Sequence, residues 1–285
     1  MLPPAAVRIL PELRATVAAW RREGLRVGLV PTMGALHDGH LALMRHALAR
    51  ADRVVASVFV NPTQFGPGED LDRYPRDEPG DLARLAEVGV QLAWLPPVEA
   101  MYPPGDRTRV TVEGLGDGLE AVARPHFFRG VATVVAKLLN QVQPDLAVFG
   151  EKDYQQLLVV RRLARDLAIP AEILAHPTVR EPDGLAMSSR NRSLTPAERA
   201  VAPALHRVLA ETARTLADGR LAAEALATGT CRLLAAGFAR VDYLELRDAE
   251  DLAPLDRVAG RPARLLAAAP LSGTRLIDNV PVRHP

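Results

Sequence analysis

For its first two thirds the chain alternates short apolar runs with amphipathic stretches. Leu13, Val17 and Trp20 recur at helical spacing and Gly24 closes that face, after which residues 26–30 read as a short buried strand. The unit then repeats. A helix over residues 39–51 leads into Val54-Val55-Ala56-Ser57-Val58-Phe59-Val60, a continuous β-branched run of the kind found in a parallel strand covered on both faces. Further along, helices are expected over 81–88, 130–142 and 157–167, and strands over 90–95, 145–149 and 171–174, with a short extra strand at 108–112.

Two segments interrupt the pattern. Residues 61–80 are rich in proline and glycine and predict a long loop of the kind that often serves as a lid, and residues 96–105 hold four prolines. Strand and helix nevertheless alternate often enough to predict an open, right-handed parallel α/β sheet, which binds ligands at the carboxyl ends of its strands. Beyond residue 195 the pattern changes. Thr195-Pro196-Ala197-Glu198 has the spacing of a capping box with proline at the first helical position. Two alanine- and leucine-rich helices follow, then strand-like runs at 241–246, 264–268 and 276–280, a small α+β domain.

Polar clusters fall where that sheet would present a site. Pro31-Thr32-Met33-Gly34-Ala35-Leu36-His37-Asp38-Gly39-His40 follows the first buried strand, Asn61-Pro62-Thr63-Gln64-Phe65 the second, and Gly150-Glu151-Lys152-Asp153-Tyr154-Gln155-Gln156 a later one. A fourth, running from Arg180 through Met187-Ser188-Ser189-Arg190-Asn191, is basic and hydroxyl-rich, as a phosphate-binding loop should be. A helix N-terminus offers unpaired N–H groups and a partial positive charge, so His37 and His40 stand where phosphates would dock. Each cluster also has a plain reading. The histidines could cap a helix or form a zinc pair, Lys152 and Asp153 could be a solvated ion pair, and Asn61, Gln64, Ser188 and Ser189 could simply close turns. Their shared placement is what the plain readings do not predict. No third zinc ligand is close in sequence, since His46 faces elsewhere on its helix and His126 and His176 lie far along the chain.

Composition narrows the classes. At 285 residues and 48% hydrophobic the chain can bury roughly three quarters of its unfolded surface. A single cysteine, Cys231, excludes an internal disulfide framework, fits a reducing compartment and is expected only to pack. No apolar run approaches the ~18 residues of a membrane span, so a soluble, cytoplasmic protein without a membrane partner is expected. The net charge of +1 gives no sign of a nucleic-acid surface. Of 35 basic residues only Lys137 and Lys152 are lysine, which marks both as places where a compact ammonium is required, Lys152 the better candidate for chemistry. Four asparagines, one cysteine and 24 prolines lean toward a thermophilic source, although base-composition bias alone would produce the same pattern.

Four motifs, in this order and at these intervals, closely resemble the pantothenate synthetase family: the Pro31–His40 segment, Asn61–Phe65, Gly150–Gln156 and Met187–Asn191. The first and last also resemble the two signature motifs of class I aminoacyl-tRNA synthetases, within a wider nucleotidyltransferase superfamily. The resemblance implies an α/β fold, with residues 1–178 a Rossmann-like ATP- and pantoate-binding domain. Residues 179–285 would be a smaller α+β domain opening with a mobile Met187-Ser188-Ser189-Arg190 loop. It implies condensation of pantoate with β-alanine through a pantoyl-adenylate, with ATP as substrate, Mg2+ on the phosphates, and a homodimer.

By the same resemblance His40, His37 and Lys152 are the catalytic candidates, with His40 as proton donor. The ATP site comprises Met33, Gly34, Ala35, Leu36, His37, Asp38, Gly39, His40, Gly150, Glu151, Lys152, Asp153, Val179, Met187, Ser188, Ser189 and Arg190, with Asp153 on the ribose hydroxyls. Gln64 and Gln156 hold substrate: neutral amides can pair with pantoate's hydroxyls and carboxylate without neutralising the nucleophile. The stretch around Tyr74 matches the family's mobile flap. One departure stands out. The family's Arg-Pro-Gly-His-Phe segment reads Arg124-Pro125-His126-Phe127-Phe128, so an ungapped match puts Phe127 at the histidine position. Another acyl-adenylate-forming ligase, a non-catalytic nucleotide sensor and a zinc hydrolase are the rival readings. Against a tRNA synthetase stands the lack of a basic anticodon-binding domain in the last 90 residues.

Overall fold

The computed structural model describes residues 3–66, 69 and 71–283. They divide into two compact units, residues 1–151 with 159–177, and residues 152–158 with 178–285. The segment 152–158 thus packs with the C-terminal residues although it lies within the first 178.

The larger unit holds β1 (Ala5–Val7), α1 (Leu10–Arg22), β2 (Val27–Thr32), α2 (Asp38–Leu48), β3 (Arg53–Val58), α3 (Glu78–Val88), β4 (Leu92–Trp94), the short α4 (Val98–Met101) and α5 (Glu120–Ala123), α6 (Phe127–Val142) and β5 (Leu146–Gly150). Helix α7 (Tyr154–Asp166) and β6 (Glu172–His176) follow. The six strands form one parallel sheet in the order β1-β4-β3-β2-β5-β6. Strand order reverses at β2: β3 and β4 extend to one side, β5 and β6 to the other. Right-handed crossovers place α2 and α3 on one face and α1 and α6 on the other, and each pair of helices packs together.

The apolar runs become the sheet's center because both faces are covered. Leu29, Val30, Val54, Val55, Ala56, Leu146, Ala147 and Val148 are fully buried. Gly28 permits close strand contact, since a Cβ there would lie 3.2 Å from Leu146 Cδ1 and 3.3 Å from Ala51 Cβ. Parts of the larger unit depart from expectation. Residues 108–112 form no strand; Val110 N–H instead donates to Thr133 Oγ1 at 3.0 Å, so that segment is tied to a helix rather than to a sheet edge. The edge strand β1 is additional, and too short to show a periodicity. Helix α3 begins at Glu78 because the Asp77 side chain accepts Gly80 N–H.

The smaller unit contains α8 (Pro196–Val201), α9 (Ala204–Ala217), α10 (Ala222–Ala236) and an antiparallel sheet of β7 (Tyr243–Asp248), β8 (Ala263–Leu271) and β9 (Thr274–Val282) in that order. The capping box forms: Thr195 Oγ1 accepts Glu198 N–H at 3.3 Å and Glu198 Oε2 accepts Thr195 N–H at 2.8 Å. Three helices stand where two were expected, because Pro203 separates α8 from α9. All nine residues of β8 are buried; α9 packs on β8 and β9, α10 on α9 and β7, and Leu205, Leu209, Leu216 and Leu233 share the same core. Cys231 is exposed on α10 rather than packed. Among the described residues no helix is long and apolar enough to cross a membrane.

Candidate active site

The reversal of strand order at β2 puts the loop after Thr32 at the crevice where sheets of this kind bind ligands. That loop is tightly specified. Thr32 Oγ1 donates to Ser57 O at 2.8 Å and accepts Gly34 N–H at 3.2 Å. Gly34 has φ +85°, and a Cβ there would lie 2.7 Å from Asp81 Oδ2 and 3.0 Å from Val58 Cγ1, so glycine is required on two counts. Ala35 and Leu36 are buried, and their N–H groups are accepted by Asp81 Oδ2 at 3.1 Å and Oδ1 at 2.7 Å. Asp81, only 4% exposed, was not legible as part of the site; its sole sequence signal is a carboxylate on the apolar face of a helix.

His37 is the extended N-cap of α2 and His40 lies in its first turn. The His37 N–H donates to His40 Nδ1 at 3.3 Å, and the two rings lie 4.1 Å apart at 40°. His40 Nδ1 is thus an acceptor, and any N–H donor of its ring is Nε2. Asp38 faces outward to Arg84, 2.6 Å away. Gly39 and His40 complete the predicted loop, so Met33 through His40 form one continuous feature at a helix N-terminus.

Gln64 lies beside it. The turn Pro62–Gln64 follows β3, and buried Asn61 organises it. Asn61 Oδ1 accepts Thr63 Oγ1 at 2.9 Å and Tyr102 Oη at 2.7 Å, while its Nδ2 donates to Gln64 Oε1 at 3.1 Å and Gly130 O at 3.2 Å. Gln64, 8% exposed, thereby turns Nε2 toward Met33 Sδ at 3.0 Å. Gly130 allows this packing, because a Cβ there would fall 2.4 Å from Thr63 O. Burial pushes the Tyr102 pKa up, keeping the hydroxyl a donor.

At the family's altered segment, Arg124 donates to Gln64 O at 3.0 Å and pairs with Glu69 at 2.5 Å. Burial raises the Glu69 pKa, but the hydrogen bond and charge of Arg124 outweigh it and hold the carboxyl below its ordinary value. The Phe127 ring lies 4.0 Å from the Arg124 guanidinium, a cation–π contact. His126 stands against Gly66, where a Cβ would lie 2.6 Å from its Cε1. Tyr74 is buried, its ring 6.0 Å from that of Phe65; Pro67, Gly68 and Asp70 of the same loop lie outside the described residues. Gly150 ends β5, and Glu151 opens the turn Glu151–Asp153.

The other candidates belong to the smaller unit. Lys152 and Asp153 sit in that turn, 3.9 Å apart, with the lysine 20% and the aspartate 46% exposed; this is too loose for a strong ion pair. Gln156 is half-buried on α7. Val179 O accepts Met187 N–H at 2.9 Å, closing a hairpin with the Arg180–Ala186 bridge. Ser188 Oγ accepts Arg190 N–H at 3.3 Å and caps the turn Ser189–Ser193, and Asn191 Nδ2 donates to Ala186 O at 3.1 Å. Val179 and Met187 through Arg190 are thus one structural feature.

Among the described residues no group of three or more His, Cys, Asp or Glu side chains could hold a metal ion. His46 and His176, remote in sequence, do meet, with ring centroids 5.4 Å apart.

An open parallel sheet whose switch-point strand ends in a glycine-containing histidine loop at a helix N-terminus defines an α/β nucleotide-binding enzyme. Comparison with known proteins specifies it further. Residues 5–281 match the family model described as pantoate-beta-alanine ligase. The pantothenate synthetase of Acidiphilium cryptum is 60% identical over 97% of this chain and 99% of its own, and that of Rhodospirillum rubrum 56% over 96% and 98%. The crystal structure of pantothenate synthetase from Thermus thermophilus superposes with a TM-score of 0.91 at 53% identity, over 99% of this chain and all of that one. The Francisella tularensis pantoate-beta-alanine ligase, complexed with beta-gamma ATP and beta-alanine, gives 0.82 at 30% identity over 97% of both chains. The chain belongs to the pantoate-beta-alanine ligase family.

Proposed function

We propose that the histidine loop, Gln64, Lys152 and the Ser188–Arg190 turn carry out the reaction of this ATP-dependent ligase, which joins pantoate to β-alanine and yields pantothenate, AMP and pyrophosphate. In the first step a pantoate carboxylate oxygen bonds to the α-phosphorus and the bond to pyrophosphate breaks. In the second the β-alanine amine attacks the pantoyl carbonyl, AMP leaves, and the amine loses a proton.

The family match over residues 5–281 carries the reaction, and the oriented Gln64 amide supports the assignment of the acid's site. Adenylation needs positioning and donors aimed at the growing phosphoryl charge. His40 Nε2, with His37 beside it, supplies donors at the N-terminus of α2, and His40 is assigned the proton transfer. Lys152, Ser188, Ser189 and Arg190 bear on the phosphates, Asp153 on the ribose, and backbone at Gly150 and Val179 on the nucleoside, with Met33 and Met187 packed against it. Gln64 and Gln156 hold pantoate through neutral amides, leaving its carboxylate nucleophilic.

The donor chemistry fits Mg2+ carried on the nucleotide. Magnesium keeps waters and phosphate oxygens rather than requiring an all-protein cage, and the side chains assigned to the phosphates, His37, His40, Lys152, Ser188, Ser189 and Arg190, are nitrogen and hydroxyl groups suited to phosphate oxygens rather than a carboxylate set. When bound it supplies charge neutralisation on the triphosphate. A homodimer is proposed from the resemblance and is tested by analytical ultracentrifugation.

The deciding experiment is exchange of labelled pyrophosphate into ATP with Mg2+ present and β-alanine absent. Exchange that requires pantoate supports both the intermediate and the acid. ATP binding without exchange, for pantoate and for a panel of other carboxylates, would sink the reading.

A further inference from the structure

In the smaller unit, two consecutive residues of β9 hold two separate polar segments. Asp278, whose side chain is 2% exposed, forms a bidentate pair with Arg180 at 2.6 and 2.9 Å. Arg180 also donates to Gly184 O at 3.0 Å, tying down the hairpin that runs directly into Met187-Ser188-Ser189-Arg190. The next residue, Asn279, donates from Nδ2 to the backbone carbonyl of Lys152 at 2.9 Å and accepts from Arg264 Nε at 2.6 Å.

The orientation of that amide follows from chemistry. Arginine offers only donors, so the Asn279 oxygen must face Arg264 and the NH2 must face the Lys152 carbonyl. Arg264 is itself fixed. It is 7% exposed, its guanidinium lies 4.0 Å from the Tyr154 ring, and Tyr154 Oη donates to Ala249 O at 2.8 Å. The chain of contacts from β7's end through Tyr154, Arg264 and Asn279 thus terminates on the backbone of one residue, Lys152.

We propose that Asn279 is a positioning residue that acts through Lys152, fixing the turn that carries the ammonium while Asp278 fixes the hairpin that carries the serine-arginine loop. The inference rests on the assignment of Lys152 to the phosphates. A lysine side chain has four rotatable carbons, so its head is placed only as well as its backbone, and misplacement by about 1 Å can cost about a hundredfold in rate.

The test is N279D in the full chain, read by pantoate-dependent pyrophosphate exchange. Aspartate keeps the acceptor for Arg264 but has no proton for the Lys152 carbonyl. The exchange rate at saturation should fall by about tenfold or more with the KM for pantoate unchanged. In a K152A background the same substitution should change the rate by less than about twofold, since its effect is transmitted through the missing ammonium. Parental exchange by N279D beside an impaired K152A, or equal fractional losses in both backgrounds, overturns the inference. An impaired N279D beside a K152A of parental rate overturns the assignment of Lys152 instead. If circular dichroism shows N279D unfolded, N279A takes its place in the same cycle.

Discussion

The Asp81 carboxylate accepts the backbone N–H of Leu36 at 2.7 Å, with its other oxygen on the N–H of Ala35, so a residue of α3 shapes the loop that presents His37 and His40. Asp81, Ala35 and Leu36 are all buried. Replacing Asp81 by alanine leaves two buried donors unsatisfied, at about 1–3 kcal/mol each. D81A should therefore lower the free energy of unfolding by about 3 kcal/mol, measured in urea, and reduce pyrophosphate exchange. An unchanged midpoint would show that the loop holds its shape without Asp81.

Gly34 depends on the same carboxylate. At φ +85° a side chain is strained, and its Cβ would fall 2.7 Å from Asp81 Oδ2. G34A should cost about 2 kcal/mol or more by overpacking and backbone strain together. Thermal unfolding measures the first effect and exchange activity the distortion of the loop.

For the chemistry, H40A and K152A should each lower adenylation by a hundredfold or more while retaining the fold, in line with about 3 kcal/mol for a lost transition-state donor. K152R should also be impaired, because a planar fork does not replace a compact ammonium. Near-parental exchange by H40A or K152A removes that side chain from its assigned role, and full activity of K152R refutes the need for a compact ammonium.

Lys137 had the same compositional signal as Lys152 and a different use. Its ammonium donates to Met101 O at 2.8 Å and Asp106 Oδ1 at 2.6 Å. K137M should lower the unfolding midpoint and leave the exchange rate within about threefold, as expected for a group spent on structure. A large rate loss in a fully folded variant would place Lys137 in the mechanism.

Two histidines set an acid-side slope in stability. Burial, and then the Arg180 charge, hold His206 below its ordinary value against the opposing pull of Asp278. Burial, with Arg50 and His176, does the same for His46. Both bind protons more readily unfolded than folded, so stability is fully present above about pH 6.5 and falls as pH drops through the window below it. H206Q should flatten that part of the curve, and an unchanged slope would assign it elsewhere.

The sequence by itself determined the parallel α/β sheet, because continuous apolar runs such as residues 54–58 satisfy only a strand covered on both faces. It determined the Thr195 cap, whose signal is local, and the family, whose motifs are contiguous. It marked His37, His40 and Gln64 for the same reason. The tertiary structure alone decided what holds them. Asp81 reaches the loop from 45 residues away, Gly130 meets Thr63 from beyond α3, β4, α4 and α5, and Asn279 reaches Lys152 across 127 residues. None of these contacts leaves a periodic trace. A buried hydrogen bond is specified by distance and direction between two groups, and one isolated polar residue on an apolar face does not say which distant backbone atom it will satisfy.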